Sequence, residues 1–547
     1  MKRLLMCGSV GLALFMTSCS GGGGSNGGSG NNPPPVITSS YTLLAWSELG
    51  MHCMDGKDYS VFGVLPPFNT IRAQLVKKGD RPQLVTSGVT VTYEAVADLS
   101  GSINTSSSNK TNFWDYAGAL FLTALSADVG LAGKAVQSRT PQQMDFNTDL
   151  GVWWAEGIPT VPYDDSGLRN AYPMAKLVAK DSQGNVLAET KIVLPVSDEL
   201  SCSTCHASNA NPAAEPLSGW ENNPDPAKDV KFNILKLHDE KNNISAFLAA
   251  LAGKGYQYQA SLHDTAQSGT SILCAACHGS NALPGTGLTG IPPLTQSMHT
   301  LHGSVTTPGS TTTLDNATSP FGSCYLCHPG IQTKCQRGAM SSITCQNCHG
   351  NLSNVGSAQR RGWLDLPRCQ NCHNNSQRYQ TAFDTSGQWR TTSDLTFATN
   401  PDTPLSGASL YRFSHGHGSV GCPACHNSPH AEFPTSQPND NVYSLAIQGY
   451  GGTLTECTVC HTSAPLTASG AAHGMHIVGQ TWVDRHKDYA SGGQYAQCTY
   501  CHGTDYLGSA LSTTKTSRSF TVEDRTKSFT SGQIIGCYDC HNGPTGG

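Results

Sequence analysis

The sequence predicts an N-terminal all-β, sandwich-like domain, followed by a longer domain with little regular secondary structure and only short helices. Two observations carry this prediction. Residues 41–200 contain a single cysteine and alternate apolar with polar residues at period two, most clearly over Thr70–Val76 and Val89–Tyr93. Residues 201–547 carry nine CxxCH segments at irregular spacing, which leaves too little chain to build a conventional core around each of them.

The β-rich part also contains a predicted hairpin. Residues 172–180 and 186–196 both favour strands, and the turn-forming segment Asp181–Asn185 separates them. In the second part, helices are expected near Val230–Asp239 and Ile244–Ala252. The second of these has Asn243 as a candidate N-cap and Gly253 just beyond its end.

The nine CxxCH segments account for most of the 22 cysteines. This motif attaches c-type haem: the two thiols form thioethers with the porphyrin, and the adjacent histidine is the proximal ligand of the iron. Zinc ribbons or redox dithiols would explain the cysteine pairs, but neither explains a histidine after every pair. The predicted attachment and proximal residues are Cys202, Cys205 and His206; Cys274, Cys277 and His278; Cys324, Cys327 and His328; Cys345, Cys348 and His349; Cys369, Cys372 and His373; Cys422, Cys425 and His426; Cys457, Cys460 and His461; Cys498, Cys501 and His502; Cys537, Cys540 and His541.

The other eleven histidines are candidates for the distal iron ligand. Nine haems need up to nine distal ligands, so the supply suffices for bis-histidine coordination with two to spare. Two histidines in one cluster, such as His299 and His302, are expected to reach different irons. The spacing does not assign partners to individual haems. The candidates are His52, His238, His263, His299, His302, His415, His417, His430, His473, His476 and His486.

The N-terminus predicts export. Residues 1–18 combine Lys2 and Arg3 with a short apolar run, which is typical of a lipoprotein signal peptide that ends before a lipidated Cys19. Secretion with simple cleavage near Cys19 is the alternative. Residues 19–40 are rich in Gly, Ser, Asn and Pro and predict a flexible tether. We therefore expect an outer-membrane lipoprotein that faces either the periplasm or the cell surface.

Two cysteines, Cys53 and Cys335, lie outside the motifs and the signal segment. In an oxidising compartment they could form a disulfide between the two domains, and two buried thiols are the alternative. The formal net charge is −5, and haem propionates would make the protein more acidic. Nucleic acid is therefore not an expected partner.

Four stretches add a resemblance to a known family: Trp46–Asp55, Pro195–Cys202, Cys335–Met340 and Cys498–Tyr506. With the nine motifs, they resemble multihaem c-type cytochrome lipoproteins of metal-reducing Gram-negative bacteria. The resemblance implies electron transfer in periplasmic or extracellular respiration. It also implies other cytochromes or extracellular electron acceptors as partners.

Three functions remain open at this point. In the first, the haems are mostly bis-histidine centres that only carry electrons. In the second, one haem has an open coordination position and reduces nitrite, hydroxylamine or a sulfur compound. The absence of a lysine variant among the nine motifs counts against one subtype of such reductases. In the third, the chain polymerises, with a spare histidine such as His52 donated across the interface.

Overall fold

The computed structural model describes residues 39–374, 377–391, 410–463 and 471–545. Contacts group the chain from Ile37 to Gly547 into one compact unit. The predicted signal peptide, Cys19 and the tether up to residue 38 lie outside the described residues.

Strands dominate the first part of the described chain and are rare in the rest. In chain order, the strands are β1 Tyr41–Ser47, β2 His52–Cys53, β3 Phe62–Gly63, β4 Thr70–Lys77, β5 Gln83–Val85, β6 Val89–Val96, β7 Gln142–Gln143, β8 Asp145–Asn147, β9 Val152–Glu156, β10 Met174–Asp181, β11 Val186–Val193, β12 Val196–Ser197, β13 Ile272–Leu273, β14 His373–Asn374, β15 Gln377–Arg378, β16 Arg518–Val522 and β17 Arg525–Phe529.

Two antiparallel sheets form the β-rich part. One has the strand order β1-β4-β9-β8 with β5 added beside β4, and the other has the order β11-β10-β6-β7. Side chains from both sheets, among them Ile71, Leu75, Tyr93 and Leu177, are fully buried in one shared core. The predicted sandwich-like β fold is confirmed, because the alternation at period two places one apolar face of each sheet against the other.

The predicted hairpin is present between β10 and β11. The two strands pair antiparallel, with Met174 opposite Val193. In the turn, the Asp181 carboxylate accepts hydrogen bonds from the backbone N–H of Gln183 and of Asn185. Gly184 follows with a φ of +86°, a conformation that favours glycine.

Helices are short, as predicted, and most lie after residue 200. They are α1 Phe113–Phe121, α2 Ser203–His206, α3 Pro226–Lys241, α4 Leu248–Gly253, α5 Leu262–Gln267, α6 Cys274–Cys277, α7 Leu294–Gly303, α8 Cys345–His349, α9 Leu352–Val355, α10 Cys369–Cys372, α11 Cys422–His426, α12 Pro438–Gln448, α13 Gln480–Arg485, α14 Lys487–Ala490 and α15 Thr499–His502. None of the helices in the described ranges is long and apolar enough to cross a bilayer.

The two expected helices after residue 220 are present with different ends. α3 begins earlier than predicted because Asp225 caps it, accepting a hydrogen bond from the N–H of Ala227, and Pro226 fits the first helical position. The second expected helix is divided into a 3₁₀ turn, Ser245–Phe247, followed by α4.

The β-sandwich shares its core with the CxxCH-bearing part of the chain. Ala424, Tyr443 and Val459 belong to the same buried cluster as the sheet residues. β1 is buried along almost its whole length because these residues cover the face that the second sheet does not. A second core joins Tyr59 and Phe113 to residues of α3, α4 and α5. The domain boundary at residue 200 stays a prediction, and both cores extend across it.

A buried arginine fastens the two parts together. The Arg337 guanidinium donates to both carboxylate oxygens of Asp440 on α12, at 2.5 and 2.9 Å, and to the backbone carbonyl of Gly50, at 2.5 Å. Neither side chain of this ion pair is exposed. The Arg337 side chain therefore hydrogen-bonds to a helix in the region of the CxxCH motifs and to a loop of the β-rich region at the same time.

Two glycines allow this close approach. A Cβ atom on Gly50 would lie 2.0 Å from the carbonyl oxygen of Pro429, and one on Gly338 would lie 2.4 Å from the backbone nitrogen of Glu432. In both cases the nearest atom belongs to the backbone, which cannot shift away from an added Cβ atom without distorting the chain. Glycine is therefore required where the loop after β1 and the loop after Cys335 meet residues 429–432.

Replacing Asp440 with asparagine should destabilise the whole protein. The Asp440→Asn change leaves the Arg337 cation buried without its counter-charge, which costs about 3 kcal/mol of unfolding free energy. Thermal unfolding of the haem-loaded protein, followed by circular dichroism, measures the change. The control is Asp488→Asn, since the Arg485–Asp488 pair is half exposed and is worth less than about 1 kcal/mol. Equal midpoints for the two variants would contradict the role of Arg337.

Candidate metal centres

Each CxxCH segment folds as a single helical turn. The histidine N–H donates to the carbonyl of the first cysteine in the motifs of His206, His278, His328, His461 and His541, at 2.8–3.1 Å, and also in that of His373. The motifs at Cys324, Cys457 and Cys537 begin as 3₁₀ turns, and the others are short α-helices. One turn brings both thiols and the imidazole to one side of the backbone, as attachment of a porphyrin edge and coordination of its iron require.

Among the described residues, eight motif histidines are in ring contact with a second imidazole from elsewhere in the chain. The distances between the two ring centroids fall between 5.8 and 6.4 Å. The pairs are His206–His302, His278–His238, His328–His299, His349–His430, His426–His473, His461–His417, His502–His476 and His541–His486. All eight second histidines are among the predicted distal candidates.

This separation matches the space that an iron between two imidazoles needs. A metal–imidazole bond of about 2.0 Å on each side, together with the depth of the two rings, places the centroids about 6 Å apart. The separation alone does not distinguish such a pair from ordinary ring packing, since the rings of Phe433 and Tyr443 also lie 6.1 Å apart. The distinguishing feature is that each of the eight pairs contains a CxxCH histidine. The residues present therefore fit a bis-histidine haem at each of the eight positions.

The orientation of the rings agrees with their spacing. In six of the eight pairs, at least one Nδ1 atom lies within hydrogen-bond distance of a backbone carbonyl. The acceptors, at 2.6–3.1 Å, are the carbonyls of Pro292 for His278, Thr295 for His299, Met298 for His302, Asp80 for His461, Ile477 for His476, Val483 for His486, Ile535 for His502 and Gly543 for His541. Because Nδ1 carries the proton, Nε2 keeps the lone pair that an iron needs.

Burial keeps many of these imidazoles neutral. It lowers the pKa of His206, His328, His426 and His476 to about 4 and that of His349 to about 3, and the facing or neighbouring imidazole lowers it further in each case. A neutral imidazole is the form that binds metal, so these histidines can act as ligands at neutral pH without first losing a proton.

Helix α7 contributes one histidine to each of two imidazole pairs. His299 and His302 are three residues apart, and each Nδ1 bonds to the carbonyl four residues earlier in the helix. Nevertheless, His302 faces His206 of the first motif, while His299 faces His328 of the third. The helix thus brings the first and third motifs next to each other, although more than a hundred residues separate them in sequence.

Three distal candidates do not face a motif histidine in the contacts described for the chain. His52 is buried and its ring lies 5.5 Å from that of Phe68. The Nε2 atom of His263 lies 3.1 Å from a carboxylate oxygen of Glu221. His415 has a buried Nε2 atom that makes no hydrogen bond. The ninth motif histidine, His373, lies near His426, since the two interact electrostatically.

The motif cysteines also show which motifs are neighbours. The thiols of Cys324 and Cys345 hydrogen-bond to each other, and so do those of Cys348 and Cys372. These contacts connect the third motif to the fourth and the fourth to the fifth. Burial, together with the nearby Cys327 thiol, raises the pKa of Cys202 to about 12, so the first motif lies beside the third here as well.

The two remaining cysteines, Cys53 and Cys335, both have partly buried side chains, and the disulfide between them stays a prediction beside the alternative of two thiols. The two cysteines are neighbours. Burial is the main cause of the raised pKa of Cys53, and the nearby Cys335 thiol raises that pKa further. The Cys335 sulfur also lies 3.6 Å from Nδ1 of His430. No spacing rule in the sequence pointed to this contact, or to the position of Arg360 beside His349.

The fold and these paired imidazoles define a multihaem c-type cytochrome. In agreement, residues 337–546 match the family model described as outer membrane cytochrome MtrC/MtrF-like, domains II/IV. The matched segment is less than half of the chain, and it contains six of the nine motifs. The match supports the predicted resemblance to multihaem cytochromes of metal-reducing bacteria. Searches of curated proteins and of solved structures gave no match.

Proposed function

We propose that this protein carries nine c-type haems and transfers electrons between partners at or beyond the outer membrane. The observation that carries the proposal is the set of eight imidazole pairs, each 5.8–6.4 Å apart and each containing one CxxCH histidine. A bound haem supplies a one-electron iron couple. In each pair the two imidazoles would hold the iron from both sides, which would leave no position for a substrate to coordinate.

The neighbouring motifs support a continuous path for electrons. The first motif lies beside the second, through Cys202 and Cys274, and beside the third, through α7. Contacts between thiols extend the series to the fourth and fifth motifs. Electron tunnelling requires such close neighbours, and in this arrangement no motif among the first five stands alone.

The second half of the series continues in the same way. Electrostatic contacts link the fifth motif to the sixth, through Cys369 and Cys422, and the sixth to the seventh, through Cys425 and Cys460. His473 and His476, three residues apart, face the sixth and eighth motifs. The eighth and ninth motifs are neighbours because His476 also interacts with His486, which faces His541. The proposed haems thus form one connected set.

For the ninth haem, at His373, we propose His415 as the distal ligand. The segment around His415 lies against the sixth motif, because the Cys422 N–H donates to the Ser414 carbonyl, and His373 is a neighbour of that motif through His426. His415 has a buried, unbonded Nε2 available for an iron. His263 is engaged with Glu221. His52 also has a buried, unbonded Nε2, but it lies on β2 with its ring against Phe68, and no described contact connects it to the fifth or sixth motif.

The cellular setting is also part of the proposal. The family matched by residues 337–546 is named for an outer-membrane location, and the sequence predicts a lipid anchor at Cys19. A lipoprotein on the outer membrane would exchange electrons with other cytochromes or with extracellular acceptors. The alternatives, an oxidoreductase with one open haem and a polymerising cytochrome, have less support. His52, the residue suggested for sharing between subunits, is buried.

The proposal predicts nine haems per chain and only low-spin iron in the oxidised protein. Two imidazole ligands give low-spin ferric haem, whereas an open position gives a high-spin signal that responds to added ligands. Haem quantification and EPR of one purified, air-oxidised sample measure both properties. Fewer than nine haems would reduce the proposed number. A stoichiometric high-spin signal that shifts with nitrite or cyanide would contradict the electron carrier and would indicate an enzyme with an open haem.

The assignment of His415 predicts a specific spectral change. The His415→Ala variant should keep its haem content, because the thioethers remain, but should convert one centre to the high-spin form. EPR measures the change, and His263→Ala is the matched control, expected to stay fully low-spin because Glu221 already engages that ring. If His263→Ala produced the high-spin centre and His415→Ala did not, His263 would be the distal ligand instead.

A further inference from the structure

The centre between His349 and His430 differs from its neighbours in what surrounds its two Nδ1 atoms. Six other pairs have at least one Nδ1 directed at a backbone carbonyl. Here the Nδ1 of His349 lies 3.4 Å from a guanidinium nitrogen of Arg360, and the Nδ1 of His430 lies 3.6 Å from the sulfur of Cys335. A cation faces one ligand, and a weak acceptor faces the other.

Arg360 is firmly held in this position. Its guanidinium donates to the His349 carbonyl at 2.6 Å and to the Asp365 carbonyl at 3.2 Å. It also lies over the ring of Trp389, 4.8 Å from the ring centroid. Two hydrogen bonds and a cation–π contact fix the positive charge beside the ligand, so the contact does not depend on a loosely placed surface side chain.

The sulfur of Cys335 is held as well. The N–H groups of Arg337 and Gly338, which follow Cys335 closely, both donate to the His430 carbonyl, at 2.8 and 2.9 Å. Arg337 is itself buried against Asp440 and Gly50. The loop that carries the thiol therefore moves together with the ligand that the thiol contacts. A disulfide to Cys53 would leave sulfur, still a weak acceptor, in the same place.

A hydrogen bond from Nδ1–H to an oxygen makes an imidazole a stronger donor to iron and stabilises the ferric state. A nearby cation does the opposite, because it disfavours the additional positive charge of ferric iron. We infer that the haem between His349 and His430 has a higher reduction potential than the six centres in which an Nδ1 atom faces a backbone carbonyl, and that Arg360 and Cys335 are the positioning residues that raise it. This inference rests on the proposed bis-histidine haems.

One nearby group acts in the opposite sense. Glu432 accepts a hydrogen bond from the His430 backbone N–H and is buried. An ionised carboxylate there would favour ferric iron. Glu432 is present in every variant compared below, so the differences between the variants report the effects of Arg360 and Cys335.

The test is a redox titration of the haem-loaded full chain at one fixed pH, followed by optical absorption and EPR. In the Arg360→Gln variant, the reduction step of the His349–His430 centre should move to a lower potential. At a fixed solution potential the ferrous-to-ferric ratio of that centre should fall about tenfold, which corresponds to about 59 mV. Cys335→Ser, which gives His430 an oxygen acceptor, should shift the same step downward by a smaller amount. Arg360→Lys, which keeps the charge, should restore most of the potential.

The matched control is Arg361→Gln. Arg361 is adjacent in sequence, half exposed and paired with Asp365 at 2.7 Å, so this variant makes the same change in net charge away from His349. A further variant, His430→Ala, identifies the step, because the low-spin signal that it removes belongs to this centre. An unchanged potential for that step in Arg360→Gln, or an equal shift in Arg361→Gln, would overturn the inference. Failure of the proposed function itself would appear separately, as missing haem in the unmodified protein.

Discussion

The structure depends on holding two imidazoles about 6 Å apart, eight times over. A ring pair at this separation is worth about 1 kcal/mol, so the surrounding chain must fix each imidazole separately. The backbone carbonyls that accept hydrogen bonds from Nδ1 do part of this. Short motif helices and α7 do the rest by anchoring the rings to elements that are themselves packed. The distance leaves room for a metal between the rings, and every pair contains a CxxCH histidine, which is why the paired histidines carry the functional argument.

Much of the fold and of the candidate site could be predicted because the signals are local. Attachment cysteines and proximal histidines lie within five residues of one another. The β10–β11 hairpin is encoded by Asp181 and Gly184 within a short turn. The start of α3 was predicted too late, although the Asp225–Pro226 cap is also a local signal. The eleven candidate histidines included all eight that face a motif.

The pairing itself could not be predicted from the sequence. His206 and His302 are far apart in the chain, as are His349 and His430, and they meet because of tertiary packing. No periodicity describes such contacts. The same reason explains why Arg360 and Cys335 were not recognised beside their ligands. Their chemistry comes from position, since an arginine or a cysteine elsewhere in this sequence would look the same.

The β-sandwich contributes to the metal centres even though it carries no motif. Arg337 joins Gly50, which follows β1, to Asp440 on α12, and its own N–H donates to the carbonyl of His430. Through Arg337, the sandwich is therefore connected to the backbone of His430. In a chain with so little regular structure after residue 200, the β core gives the nearest imidazole pair a packed support. A displacement of that core would alter the separation of His349 and His430, so the stability of the sandwich and the properties of the proposed centre between them are physically linked.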